Sequence, residues 1–304
     1  MRILFLAVAA SFLLFACNQS PRDVKVVDPT QTNASQQPRM ADQNYRPLKV
    51  AVSAILSPRE TFGSYEDIFR HISLQLDIPI EFHQRKTYRE INEMLEAGQL
   101  DFAFICSGAY AELDLDKGVE LFASPISNGE KYYKAYIITH ENFRAETLED
   151  LQSATFAFTD PLSNTGYLYI KYRLLEMGMD YNAFFGSTVF TNGHDVSIQM
   201  VSKGIVEAAS VSNLVFEYLK EKSPERVENV KVIEVSKDFG MPPVVVTSRM
   251  DAKMREKITE LFAHMHQDTN AGTFMEELLI DRFILNPKDE DYNSIREMRD
   301  SLNQ

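Results

Sequence analysis

The chain has 304 residues, 44% hydrophobic and 25% charged, a composition that excludes collagen-like, disordered and polytopic membrane classes. Asp plus Glu number 44 against 31 Lys plus Arg, and the resulting charge of −13 argues against a nucleic-acid partner, which would want a basic face. A small anionic ligand stays open, because a few local dipoles outweigh a distant net charge, and the length suits two domains.

Met1 and Arg2 precede an apolar run from Ile3 to Ala16, broken only by Ser11. As a helix it would reach about 21 Å, too short for a bilayer core of about 30 Å. A positive start, a short apolar region and a small residue before a cut site describe a secretory signal over residues 1–16. The run ends Leu14-Phe15-Ala16-Cys17, which resembles the lipobox of bacterial lipoproteins. That resemblance implies a lipidated Cys17 and a chain anchored to a bacterial membrane, facing the periplasm or the cell exterior. Residues 17–47, rich in Gln, Asn, Ser and Pro, read as a flexible tether of about 30 Å average span. Cys106 is then the single cysteine of the mature body, and no disulfide is expected there.

The body alternates strands and helices. Leu48–Ser53 reads as a strand, followed by a loop with Ser57-Pro58 and a helix over 64–76. Pro79–His83 is a strand. Thr87–Ala97 is a helix whose Thr87 and Glu90 form a capping box, with Gly98 as the stop. Strands at Phe102–Ile105, Val119–Ala123 and Ala135–His140 follow, an order that predicts a largely parallel sheet. The pattern then restarts: a short helix over 147–151, a strand at Thr155–Thr159, a turn at Asp160–Gly166 and a helix over 167–177. Strands at 188–191 and 207–211, helices at 194–203 and 213–222, strands at 230–235 and 244–247, and a helix at 251–266 complete it. The C-terminal segment from Lys288 to Asp300, mixed in charge, reads as a solvated surface. Ligands of open α/β sheets sit beyond the carboxyl ends of the strands, so residues there are the candidates.

Ser163, Asn164, Thr165 and Gly166 stand where the 155–159 strand passes into a helix. A helix mouth offers unpaired N–H groups and a partial positive charge, the two hydroxyls add donors, and glycine permits close approach. Together they offer a cradle for an oxyanion without a formal cation, the alternative reading being that Ser163 or Asn164 simply caps the helix. Gly193-His194 opens another helix 31 residues after Ser163, and its imidazole could donate to the same anion. No Gly-x-Ser-x-Gly elbow accompanies these residues, and Asp195 directly follows His194, so no catalytic residue is assigned and an enzyme is not expected. The six histidines are scattered, with His264 and His266 on different helix faces, so no metal and no cofactor is expected.

With Asp160-Pro161-Leu162-Ser163-Asn164-Thr165-Gly166, Gly193-His194, Gly204-Ile205-Val206-Glu207-Ala208-Ala209, Met241-Pro242-Pro243 and Asp289-Glu290-Asp291-Tyr292, the chain resembles the periplasmic substrate-binding proteins of phosphonate, phosphite and phosphate-ester ABC transporters. The resemblance covers nearly all of 48–300. It implies an α/β, two-lobed type II periplasmic-binding-protein fold, with two crossover strands near Tyr136–His140 and Val244–Thr247 and a ligand cleft between the lobes. Lobe I would comprise 48–139 plus 246–304, and lobe II 140–245. Ser163, Asn164, Thr165 and Gly166 would hold the oxyanion with His194 nearby, and the opposite lobe would contribute Ser57, Ser107 and Tyr110.

Asn164 replaces a common family hydroxyl, and Cys106 replaces a frequent glycine. No carboxylate stands at Ser212–Leu214 or Met241–Pro242, where an aminoalkyl ligand would need one. A buried ammonium without a partner is costly, so phosphite, phosphate, methylphosphonate or a neutral-tailed ester is the expected ligand. The expected partner is an ABC permease, with a membrane kinase or cyclase as the alternative, and the protein is expected to be a monomer.

Overall fold

Apolar β-rich runs and capped amphipathic segments build two α/β lobes. In the computed structural model, residues 24–27, 46–53 and 58–303 are described. The strands are β1 (Val24–Val27), β2 (Leu48–Val52), β3 (Ile80–His83), β4 (Phe102–Phe104), β5 (Val119–Ile126), β6 (Tyr132–Tyr133), β7 (Ala135–His140), β8 (Thr155–Phe158), β9 (Ser187–Phe190), β10 (Ala208–Ser212), β11 (Val230–Val235), β12 (Phe239–Gly240), β13 (Val244–Thr247) and β14 (Arg282–Leu285). The helices are α1 (Pro58–Leu76), α2 (Tyr88–Glu96), α3 (Ser107–Glu112), α4 (Tyr169–Glu176), α5 (Tyr181–Phe184), α6 (His194–Ser202), α7 (Asn213–Lys222), α8 (Ala252–His264), α9 (Thr269–Glu277) and α10 (Asn293–Leu302).

One sheet runs β1-β3-β2-β4-β13-β5-β14 and the other β11-β7-β10-β8-β9. Only β3-β2-β4 and β10-β8-β9 are parallel; the remaining strands return antiparallel. The expectation of a largely parallel sheet therefore holds for three adjacent strands of each sheet, which in the second reach its β9 edge, and fails for the rest. β1, inside the stretch read as tether, pairs antiparallel with β3. Cys17 and the tether residues 18–23 and 28–45, like Ser57, lie outside the described residues.

The chain leaves the first sheet after β5, reaches the second at β7, and returns between β11 and β13. On the way the short strands β6 and β12 pair, Tyr133 opposite Phe239. The crossings expected at Tyr136–His140 and Val244–Thr247 are thereby corrected. β7 pairs with β10 and β11, and β13 with β4 and β5, each within a single sheet. The edges expected at 139/140 and 245/246 fall inside those strands. An apolar run announces a strand, but its partner is settled by distant residues.

Local rules hold well around α2. Thr87 accepts the Glu90 N–H while Glu90 accepts the Thr87 N–H at 2.9 Å, the reciprocal capping box expected of that spacing. In lobe I an aromatic cluster of Phe69, Phe82, Phe102, Phe104, Phe262 and Phe283 fills the core. A second core is continuous from Ile91 and Leu95 of lobe I to Phe156, Ile170 and Leu174 of lobe II.

α10 closes this shared core. It packs on both α3 and α4, and buries Ile295 and Met298, with Tyr292 just before it. Tyr292 donates its hydroxyl to the Met241 carbonyl at 2.8 Å, and Arg299 donates to the Ala111 carbonyl. The reading of this region as a solvated surface is corrected: its charges occupy one face of an amphipathic helix and its apolar stripe is core. Ile295→Ala is expected to lower unfolding stability in urea by about 2–5 kcal/mol, the range for a buried aliphatic truncation. A change within about 0.5 kcal/mol, normal for surface positions, would restore the solvated reading.

Candidate functional site

β8 runs out of its sheet into Thr159 and Asp160, and the turn that follows opens the α4 segment. The first turn, Asn164–Leu168, is of the wide π type, with Leu168 N–H donating to the Ser163 carbonyl at 3.0 Å. Ser163 caps it: its Oγ accepts the Gly166 N–H at 3.0 Å. Gly166 has no substitute here, since an added Cβ would lie 2.4 Å from Thr159 Oγ1 and 2.9 Å from Ser163 Oγ. Ser163, Asn164 and Thr165 are all fully buried, and the Thr165 hydroxyl has no hydrogen-bond partner among the described residues.

His194, the first residue of α6, lies behind Ser163. Its Nδ1 accepts the Ser212 N–H at 3.1 Å, with Thr159 Oγ1 also at 3.1 Å, while Nε2 faces Ser163 Oγ at 3.4 Å. A ring nitrogen that accepts an amide proton carries none of its own, so the proton sits on Nε2. Burial depresses the imidazole pKa to about 3, and the ring is neutral at physiological pH. Ser163 Oγ thus accepts from His194 and from Gly166, which makes its own proton the one it donates, with Tyr88 as a hydrogen-bonding neighbour. His194 was expected beside the anion; the geometry makes it the group that orients Ser163. Asp195 turns away to Arg226 at 3.3 Å.

The opposing lobe presents the mouth of α3. Ser107 Oγ is hydrogen-bonded to the Tyr133 hydroxyl, which also accepts the Asn164 Nδ2–H at 3.1 Å. Burial raises the thiol pKa of Cys106, with the backbone N–H groups of Asn164, Gly108 and Ala109 opposing the shift. The two mouths touch directly. A Cβ on Gly108 would meet the Leu162 carbonyl oxygen at 2.4 Å and the Asn164 nitrogen at 2.6 Å. Asp160 bridges the same seam, accepting the Leu162 N–H at 2.8 Å and, from the other lobe, the Tyr88 N–H at 3.1 Å. Burial raises the Asp160 pKa, with these N–H groups and Arg89 opposing the shift.

Of the residues singled out from sequence, Ser163, Asn164, Thr165, Gly166, His194 and Ser107 come together. Tyr110 does not join them. Its hydroxyl donates to Asp289 at 2.7 Å, its ring stands edge-on to Tyr292, and the Arg296 guanidinium lies over it. It fastens the C-terminal region instead. Two tyrosines were missed. Tyr88, wholly buried at the start of α2, hydrogen-bonds with Ser163, and Tyr133 links Ser107 to Asn164. Burial raises both phenol pKa values, so both stay protonated donors. The capping box placed Tyr88 at a helix mouth after a strand, a signal that was available; the reach of Tyr133 from the crossover was not.

Residues 50–292 match the family of periplasmic substrate-binding proteins of phosphonate ABC transporters. The phosphate-import protein PhnD of Mycolicibacterium smegmatis is 24% identical over 230 residues, covering 71% of this chain and 70% of that protein. A binding protein component of an ABC phosphonate transporter from Pseudomonas aeruginosa superposes with a TM-score of 0.79 at 21% identity, over 85% of this chain and 87% of that one. PhnD1 of Prochlorococcus marinus, solved with methylphosphonate, gives a TM-score of 0.75 at 17% identity over 84% and 98%. These likenesses establish the two-lobed periplasmic-binding-protein fold.

The neutral His194 has a consequence for stability. Between about pH 6.5 and pH 3 the unfolded chain binds a proton at this position that the folded one refuses. Its contribution is therefore constant above pH 6.5 and is lost as pH falls through that window. Urea melts from pH 6.5 to 4.5 are expected to show wild-type stability dropping faster than that of His194→Gln, by up to about 1.4 kcal/mol per pH unit. Parallel profiles would mean that the imidazole titrates normally in the fold.

Proposed function

The chain belongs to the periplasmic substrate-binding proteins of phosphonate ABC transporters, and from that premise we propose that it captures a phosphonate, phosphite or phosphate-type oxyanion between its lobes and delivers it to a permease. The observation that carries this reading is the buried seam of uncharged donors. Ser163, Thr165, Tyr88 and Tyr133 contribute hydroxyls, Asn164 an amide, and the two helix mouths their N–H groups. Such preorganised donors suit an oxyanion, and they share the seam with two acceptors, the N–H-bound Asp160 carboxylate and Asn164 Oδ1. They also discriminate against cations, for which the seam offers little besides the N–H-bound Asp160 carboxylate.

Capture proceeds by closure. The oxyanion settles on the Ser163–Gly166 mouth of lobe II, and the α3 mouth and Tyr88 of lobe I complete its shell, so the closed state binds better and ligand populates it. The β6–β12 pair at the crossings is the place for the hinge. In the same proposal, residues 1–16 are a signal peptide, Cys17 carries lipid, and the following residues up to 47 tether the body to a membrane. Among the described residues no helix is long and apolar enough to cross a membrane.

Thermal-shift measurements with phosphate, phosphite and methylphosphonate are expected to raise the melting temperature, because a ligand that binds only the native state stabilises it by mass action. The double variant Ser163→Ala/Thr165→Ala is expected to weaken binding by several kcal/mol, at about 1.5–3 kcal/mol for each charge-assisted hydrogen bond, with the circular dichroism unchanged. Undiminished affinity in that variant would place the anion elsewhere.

A further inference from the structure

Beside the seam lies a second space that the oxyanion does not use. A cavity of about 110 Å³ opens between the lobes, walled by Tyr65, Ile105, Leu214, Met241, Pro242 and Phe283, among others. Its position is tied to the seam from both sides. Ile105 directly precedes Cys106 and Ser107 at the α3 mouth, and Leu214 lies two residues beyond Ser212, whose N–H holds His194. Met241 and Pro242 form its third wall on the returning crossover.

None of the described lining residues carries a charge. Ser53, wholly buried just after β2, lines the cavity too, and its Oγ has no hydrogen-bond partner among the described residues. Three acids, Glu130, Glu217 and Asp238, line an outer hollow that shares Leu214 and Met241 with the cavity. There Asp238 is paired with Lys134 at 3.6 Å and Glu217 with Lys220 at 3.5 Å.

We propose that the ligand carries an uncharged, apolar substituent on phosphorus, which fills this cavity while the oxyanion head occupies the seam. The proposal rests on the oxyanion reading and adds the substrate class: alkyl or aryl phosphonates, or the corresponding monoesters, in preference to aminoalkyl ones. The space is comparable with the engineered apolar cavity of about 150 Å³ that takes up benzene. A propyl group gains from leaving water there. The isosteric 2-aminoethyl group would bring an ammonium into a space whose described walls offer it hydroxyls but no carboxylate, which is unfavourable. The Ser53 hydroxyl can meet one oxygen or other neutral polar atom of the substituent.

Calorimetric titration of the purified full chain with phosphite, methylphosphonate, propylphosphonate, phenylphosphonate and 2-aminoethylphosphonate tests this. Affinity is expected to rise from phosphite to propylphosphonate by about fourfold per buried methylene. 2-Aminoethylphosphonate is expected to bind at least tenfold more weakly than propylphosphonate, and Leu214→Glu to reverse that order by supplying the missing carboxylate. Propylphosphonate no tighter than phosphite, or 2-aminoethylphosphonate equal to or tighter than propylphosphonate, overturns the cavity assignment while leaving the oxyanion site standing. Failure of all five compounds to bind takes down both readings.

Discussion

The structure turns on the contact between two helix mouths. Gly108 at the start of α3 meets the backbone at Leu162 and Asn164 so closely that a single methyl group would not fit. Every group of the proposed site is defined relative to this contact. Tyr88 is held by Asp160 across it, and Tyr133 spans Ser107 and Asn164. Because both backbones bring positive dipole ends to one place, the junction is electrostatically poised for a negative guest. The chain as a whole carries −13, and that charge belongs to its general surface.

The elements around the contact serve to hold it. Gly166 allows the Ser163 turn to fold back on Thr159, and the neutral His194 fixes the Ser163 hydroxyl as a donor. Farther out, α10 lays Ile295 and Met298 against both lobes, and Tyr110 binds Asp289 beside the Arg296 guanidinium. A hinged protein needs lobes that are each stable and a seam that is not sealed by greasy packing alone. Here the seam itself is polar, while the continuous core lies along one side of it under α10.

How much of this was legible beforehand follows from the range of each interaction. The strand–turn–helix signature at Ser163–Gly166, the helix opening at His194 and the Thr87 capping box are local, and all three stand where spacing put them. Strand existence was legible as well; strand pairing was not, and so the crossings were misplaced into β7 and β13. Tyr133 and Tyr110 show the same divide. Each is one more aromatic residue in an apolar stretch, and only the folded chain reveals that the first reaches Asn164 and the second Asp289. The charge-rich C-terminus misled for another reason: its apolar positions recur at helical spacing, but they are outnumbered by charges.

The central claim is that the ligand site exists only where the two mouths meet. Calorimetric titration of Gly108→Ala with methylphosphonate tests it most directly, because the added methyl group faces the other lobe's backbone and leaves lobe II's own donors intact. The account predicts binding at least tenfold weaker than wild type with an unchanged circular dichroism spectrum. Wild-type affinity in Gly108→Ala would contradict it, and would mean that one lobe alone holds the anion.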